Sequence, residues 1–472
     1  VLDRFLNLLG LQRRSLDAGS VSRRWPAGAR LSNLNSDILG QGRTIRERAA
    51  YYSQNNAHGR AAVAALVSNI VGPGIVPSPQ HPDPAERARL AELWLRWTDQ
   101  ADFDNGGDFY QLQALAVRQM VETGESFGHL IADGPELPLS IRLLHPSQIP
   151  IEWSVGSVVN PLVRGGVEFD TQGRRLAYWA LPFRPDDPLL ALTTAAYTPV
   201  RLPASEVVHL MDPAEPGQIR GLSWFAPVMV ALSELDQMSD AALVGAKVRN
   251  LICAAMIDPE GNGGGLAGDQ TGGTLDVSLE PGAILPFQPG RNIEFFDPKE
   301  STAYGPFTKE HLRAIAAGLG LPYELLTGDL SSVNYSSIRA GLVEFRKRLS
   351  YWQHSVVVFR FCRPVWDRFI GAAVLAGLID PAHYARDTVA YHRVEWLPPR
   401  QEWIDPLKDA QAEIEAINAG LMSRRQAVAA RGGDVDQLRA EIAAERAADQ
   451  VAGLTFEAPA KQIAPAEVPT NV

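Results

Sequence analysis

Two long helical patterns joined by a loop with a single charge constrain this 472-residue chain more than any other feature. The stretch from Gly318 to Gly341 reads GLGLPYELLTGDLSSVNYSSIRAG. Before it, Phe307 to Gly318 has the spacing of a helix that Gly318 and Pro322 end; after it, a second pattern starts near Ser336 and runs to about Ile379. Between them lie Asp329, Leu330, Ser331, Ser332, Val333, Asn334 and Tyr335, one acid among small polar, aliphatic and aromatic residues. Such a surface makes a poor phosphate clamp but suits something that must slide past without sticking. The plainer reading is an ordinary surface loop. Pro364 falls inside the second pattern and is expected to kink it, because proline lacks the N–H that would bond four residues back.

Upstream, helical patterns cover Arg43 to Gln54, Gly59 to Val71 and, after the break Pro77-Ser78-Pro79, Pro84 to Trp97. Trp94 and Trp97 share a helix face, which reads as core packing. Asp108 has the place of an N-cap for a helix through Val121 that Gly124 ends. Short β segments follow at Ser126 to Ala132, Leu139 to Leu144, Val163 to Phe169, Arg175 to Leu181 and Glu206 to Met211, with Asp170-Thr171-Gln172-Gly173 as a hairpin turn. The fold class is therefore α+β. From Ser223 to Ile257 the pattern is helical for some 35 residues, on the order of 50 Å. A glycine-rich stretch and two β-like pieces, Ala283 to Phe287 and Asn292 to Phe296, separate it from the Pro306 to Gly318 helix, so these two helices should lie near one another. Past the long helical pattern, Val389 to Trp396 is β-like and Pro398-Pro399 breaks it. Helices then follow at Pro406 to Asn418, Ser423 to Ala430 and Val435 to Ala447, and the Ala- and Pro-containing tail from Ala448 onward has little to pack against.

The length suggests about three domains or one elaborated one. A composition of 46% hydrophobic and 21% charged residues is ordinary for a soluble globular protein. The net charge of −10 argues against binding nucleic acid by massive phosphate neutralisation, but not against enclosing it loosely. Cys253 and Cys362 sit in separate apolar, helical contexts and make no disulfide framework, which suggests a reducing cytoplasm. The nearest approach to a membrane span, Val356 to Ile379, contains Arg360, Arg363, Asp367 and Arg368, so no membrane segment is expected. The chain starts at Val1, which suggests that processing or the choice of expressed segment removed its beginning.

Several motifs fail on context. Gly124-Glu125-Ser126-Phe127-Gly128 spells the G-x-S-x-G of a hydrolase elbow, yet that turn needs a strand before the serine and a helix after it, and the order here is reversed. Gly263-Gly264-Gly265-Leu266-Ala267-Gly268 fits a dinucleotide fingerprint but lacks the preceding strand and following helix, so linker flexibility explains it better. Asp102-Phe103-Asp104-Asn105-Gly106-Gly107 resembles a calcium loop, but Gly106 and Gln113 stand where ligands belong. Neither H-E-x-x-H nor C-x-x-C occurs, so no zinc site is expected; His129, His145 and His209 at strand positions read as structural. With no phosphate-cradling P-loop, the chain itself should hydrolyse no ATP. Arg339, Arg346, Lys347 and Arg348 on the long helix are candidates for contact with DNA or with a neighbouring subunit; Glu344 among them and the lack of a stacking comb favour an intersubunit or solvated face. No catalytic residue, metal or cofactor is expected.

An ordered set of blocks resembles the portal proteins of tailed bacteriophages of the lambda-like type. Pro322 to Gly341 carries it most strongly. Arg23-Arg24-Trp25, Ile45 to Ala49, Asn69 to Ile75, Gly217 to Trp224 and Leu279-Glu280-Pro281-Gly282 follow the family's order, and the resemblance covers roughly Ser22 to Arg431. It implies a portal fold: an N-terminal arm (1–35), an α+β wing (36–221), a stem helix (222–257), a small β-containing clip (258–297) that includes Gly263, Gly265, Glu280, Pro281 and Gly282, and a second stem helix (298–326). A tunnel loop (327–337, its channel-facing part Thr327, Gly328, Asp329, Leu330, Ser331, Ser332, Val333, Asn334 and Tyr335), a kinked long helix with a wing strand (338–402), a helical crown (403–447) and a mobile tail (448–472) complete it. It implies a ring of twelve copies at one vertex of the capsid, assembled in the host cytoplasm, through which double-stranded DNA enters during packaging and leaves on ejection. The implied partners are the large terminase subunit, docking on the clip and bringing a separate ATPase, then head–tail connector or adaptor proteins, and the major capsid protein. Twelve copies at −10 each would carry about −120 formal charges, so the bore would tend to repel a polyanion. The competing readings are an α+β, hydrolase-like enzyme with an unrecognised active site and a monomeric scaffold for protein partners.

Overall fold

The computed structural model describes residues 33–155, 162–186, 198–257, 283–287, 304–331, 335–400 and 405–454; of 248–257, 283–287 and 335–337 it describes the backbone. Helices and short strands mix throughout, an α+β architecture. The described residues fall into two compact units, one within Val1–Arg60, Gln119–Phe127 and Leu144–Leu319, the other within Ala61–Arg118, Gly128–Leu143 and Gly320–Val472.

The first unit opens with the helix Leu34–Asn55, which starts well before the expected Arg43. Asn33 caps it, its side-chain oxygen accepting from the N–H groups of Asn35 at 3.0 Å and Ser36 at 3.3 Å. Gly40 and Gly42 hide this turn from a propensity reading, yet a Cβ at Gly42 would lie 2.9 Å from Ile151 Cδ1, so the second glycine admits a neighbour. An antiparallel four-stranded sheet runs Leu162–Arg164, Val167–Phe169, Arg175–Ala180, Val200–Pro203. The single strand expected from Val163 to Phe169 is two strands, because Gly165 (φ +58°) and Gly166 (φ +77°) turn the chain between them. The expected turn at Asp170–Gly173 is present, Asp170 Oδ1 accepting from the N–H groups of Gln172 at 2.9 Å and Arg174 at 2.7 Å. Phe127, Leu144, Ile149, Val167, Tyr178, Ala180, Val207 and Ile219 form the core behind the sheet.

The helices Met229–Leu251 and Tyr304–Leu319 pack on each other as expected. The first is shorter than its sequence pattern: residues 224–228 form turns, and Ile252–Ile257 leaves the helix as a strand paired in parallel with Ala283–Phe287. An unbroken apolar run has no period to distinguish strand from helix, and its partner comes from a distant segment. Cys253 is thus on a strand, not a helix. Gly318 does not end the second helix. A Cβ there would lie 2.3 Å from Val228 Cγ1, so this glycine permits close packing, while Gly320 at φ +76° follows the helix end.

In the second unit an aromatic core centres on Trp94, whose ring centroid lies 4.8 Å from Trp97, 5.0 Å from Phe109 and Phe369, and 5.2 Å from Trp366. The helix Pro84–Thr98 that carries both tryptophans is capped by Asp83, with proline in its first turn. The expected break Pro77-Ser78-Pro79 lies in a strand, Val76–Pro79, antiparallel to Val394–Leu397. A two-stranded sheet has only edges, where proline's missing donor is tolerated. The first part of the expected Val389 to Trp396 β segment, residues 389–392, instead lies in the short helix Thr388–His392, because Asp387 accepts from the Ala390 N–H.

The long helical segment is α from Tyr335–Tyr351, π over Trp352–Cys362 and α again over Arg363–Leu375. At its end the Arg363 N–H bonds the Val358 carbonyl, five residues back, and Pro364 falls in the first turn of the next α segment, where its missing donor costs little. Gln353 fixes the start of the wide stretch, its amide nitrogen donating to the carbonyls of Asn69 at 3.2 Å and Ile70 at 3.1 Å at the C-terminal end of the helix Ala57–Ile70. Beyond the strand Val394–Leu397 come the helices Pro406–Asn418, Arg424–Ala429 with a Ser423–Gln426 capping box, and Val435–Ala452, which outlasts the expected Ala447 and closes at Gly453 (φ +70°). No described helix is long and apolar enough to cross a membrane.

Candidate functional site

The loop after Thr327 is built by one carboxylate. The short helix Tyr323–Thr327 starts behind Pro322 and closes at Gly328 (φ +69°), whose N–H donates to the Glu324 carbonyl at 2.8 Å. Thr327 Oγ1 donates back to the Tyr323 carbonyl at 2.9 Å and accepts from the Asp329 N–H at 3.1 Å. Asp329 Oδ1 then accepts from the Ser331 N–H at 3.0 Å and the Ser331 hydroxyl at 2.6 Å, and Oδ2 accepts from the Tyr323 hydroxyl at 3.1 Å. The acid that stood out in the sequence is a turn anchor with three local donors. Leu330 beside it is 62% exposed. Ser332, Val333 and Asn334 lie outside the described residues, and Tyr335 begins the next helix.

The four basic residues of that helix do not form one patch. Arg339 pairs with Asp409 at 3.5 Å and Lys347 with Glu344 at 2.6 Å. Arg346 and Lys347 border a cleft of about 720 Å³ with Trp396, Pro398 and Pro399. Arg348 Nη1 would lie 3.5 Å from a Cβ at Gly320, against the turn that follows the preceding helix. Gly263, Gly265, Glu280, Pro281 and Gly282, with the dinucleotide-like glycine motif, lie outside the described residues.

The hydrolase-like motif has a different use. A helix precedes Gly124 (φ +94°) and a strand, Glu125–Ile131, follows it. The Ser126 hydroxyl donates to Gln119 Oε1 at 2.9 Å. Its neighbour Glu125 is fully buried and receives Arg220 Nε at 2.9 Å, Arg220 Nη2 at 2.6 Å, the Gly221 N–H at 2.8 Å and His209 Nε2 at 3.1 Å, with Arg46 Nη1 at 3.7 Å. Arg220 Nη1 goes on to the carbonyls of Ile149 at 3.0 Å and Gly165 at 2.6 Å. Glycines at 124 and 221 let the two strands of chain meet: a Cβ at Gly221 would lie 2.1 Å from the Gly124 carbonyl oxygen.

Burial alone would push the Glu125 carboxyl up, but Arg220, the His209 hydrogen bond and Arg46 together hold it well below the usual carboxylate range. Burial pushes His209 down to about 4, and Arg46 down to about 10 with help from Arg220. His209 is therefore neutral at pH 7, with Nε2–H donating to Glu125 and Nδ1 accepting from the Tyr178 hydroxyl at 3.3 Å. This ionic core was missed in the sequence. Its signal is that Glu125 and Arg220 are each the sole charge in an otherwise uncharged block, Gly124 to Gly128 and Gln218 to Trp224.

The remaining motifs close on themselves. The Asp102 carboxylate accepts from the N–H groups of Asp104, Gly106 and Gly107 at 3.1, 2.8 and 3.2 Å, filling the place a cation would take. Among the described residues no group of three His, Cys, Asp or Glu is placed to hold a metal. His145 is not on a strand but caps the turn Pro146–Gln148, accepting from the Ser147 N–H at 3.2 Å. Cys362 is buried, and burial pushes its thiol up.

Residues 19–353, the loop and the Glu125–Arg220 core among them, match the family described as Phage portal protein, lambda family. The chain belongs to this family. It is similar to the probable portal protein of Halomonas phage phiHAP-1, with 25% identity over 439 residues that cover 89% of this chain and 83% of that one. It is similar also to portal protein B of Escherichia phage lambda, 24% identical over 352 residues covering 66% of this chain and 63% of that one. Among solved structures it is similar to the neck of a native GTA particle computed with C12 symmetry, with a TM-score of 0.45 and 15% identity over 82% of this chain and 91% of that one. A phage portal protein is a structural component of the virion's portal vertex, so the hydrolase-like alternative is set aside.

Proposed function

We propose that this portal protein closes, twelve copies together, into a ring whose bore carries double-stranded DNA into the phage head and out again, with the loop 327–335 facing the bore. The observation that carries the reading is the loop's own geometry. Its one carboxylate is held by Tyr323 and Ser331 and Leu330 beside it is exposed, so the described loop offers no fixed cation to a passing phosphate backbone. A ring of heterologous contacts closes only where one face of a subunit fits the opposite face of the next, and long helices packed side by side supply such faces. Residues 258–297 serve as the docking clip, first for the large terminase subunit and afterwards for head–tail connector proteins, and the major capsid protein surrounds the ring. Pro364 marks where the long helix bends.

The test is a Gly/Ser replacement of Asp329 to Asn334. The ring should still assemble, seen as an annulus by electron microscopy, while packaged DNA is incomplete or lost from the head. Full packaging and retention would remove the loop from the mechanism.

A further inference from the structure

The second unit holds a smaller cleft, of about 430 Å³, whose wall is cationic. Three elements meet there. Arg363, Trp366 and Asp367 stand at i, i+3 and i+4 on one face of the helix Arg363–Leu375; His392 and Arg393 lead into the strand Val394–Leu397; and Gln80 is tied beside them by its N–H to the Arg393 carbonyl at 2.9 Å. The single acid, Asp367, is engaged by His392 Nδ1 at 2.7 Å, and His392 Nε2 meets the Tyr384 hydroxyl at 3.1 Å. Gln80 is committed as well, its amide nitrogen to Ser78 and its oxygen to Arg425.

Two guanidiniums are left over. Arg363 lies 5.8 Å from the Phe359 ring and Arg393 is exposed, and among the described residues neither has a carboxylate partner. Trp366, 1% exposed, lines the same cleft, and its Nε1 is buried with no acceptor. Two arginine forks with no carboxylate are matched by an oxyanion.

We propose that this cleft is a binding site for a phosphate group, with Arg363 and Arg393 supplying both the charge and the donors. The phosphate can come from free inorganic phosphate or from the backbone of duplex DNA. The experiment uses the purified full chain, titrated calorimetrically with inorganic phosphate against chloride at matched ionic strength. Wild type should bind phosphate specifically. The double variant R363Q/R393Q, whose changes are at exposed positions, should bind it about tenfold more weakly or worse. Thermal melting without phosphate shows that the variant is folded. A short DNA duplex in the second arm separates the sources: duplex binding that falls with R363Q/R393Q assigns the site to backbone phosphate, and duplex binding that is absent or unchanged assigns it to the free ion. A wild type with no phosphate-specific heat, or a folded double variant that binds phosphate undiminished, overturns the proposal.

Discussion

The most consequential single residue is Glu125, because every group around it depends on its charge. Replacing it as Glu125→Gln keeps the shape but leaves Arg220 and Arg46 buried without a carboxylate, a change that typically costs about 3–5 kcal/mol. Urea unfolding of the purified chain should register that loss, and a change below about 1 kcal/mol would show that the ionic core does not hold this unit together. His209 gives part of the pH dependence, shared with His145, whose folded value burial also pushes down to about 4. The His209 folded value of about 4 lies below its ordinary 6.5, so the unfolded chain takes up a proton that the native side chain refuses; stability from this group is complete above about 6.5 and falls as pH drops to about 4. Glu125 is also depressed, from an ordinary 4.5, so its share begins to fall only below that value and continues at lower pH. The variant His209→Gln should reduce, without abolishing, the fall of melting temperature between pH 6.5 and 4, the remainder belonging to groups such as His145, and leave the lower fall in place; an unchanged slope over that interval would remove His209 from it. None of this pairing is legible in sequence, since Glu125 and Arg220 stand 95 positions apart and nothing local in either block names the other.

At the scale of elements, the sequence was readable wherever the determinant is local. Asp83, Asp108 and Ser423 each place an oxygen where the first N–H groups of a helix need one, and Gly173 marks its turn. It misled where a distant partner decides: Ala283–Phe287 turns Ile252–Ile257 into a strand, and Val394–Leu397 makes a strand of a proline-flanked serine. Gly318 misled in another way, because a glycine near a helix end suggests a stop when its use here is contact. Gly318→Ala forces a Cβ to within 2.3 Å of Val228 Cγ1 and should destabilise by about 1–3 kcal/mol. The double variant with Val228→Ala should lose less than the sum of the two single variants; strict additivity in thermal melts would refute the contact.

For the whole molecule, the loop 327–335 stood out in sequence because its composition is unusual and its block resembles a portal's. How copies of the chain would fit together was not legible, since the fit of one copy's face to the next is absent from any single chain's residue order. Purified protein should run by native mass spectrometry as a closed oligomer far above the 51.4 kDa of one chain, and a stable monomer across concentrations would sink the ring. The same preparation should hydrolyse ATP no faster than a buffer blank; turnover that follows the protein through purification would show that the chain supplies its own motor.

The wide helical turns at Trp352–Cys362 impose a rule on length. Each residue added to or lost from an α-helix swings everything beyond it by about 100° about the axis. Gln353 pins the near side of the stretch to Asn69 and Ile70, and Trp366 and Phe369 beyond the far side must still arrive at Trp94. A wide turn holds one residue more than an α turn, so the loss of one residue can be absorbed within these eleven positions by tightening to the α pattern, and a one-residue gap in an alignment of relatives should fall here rather than in the α segments on either side.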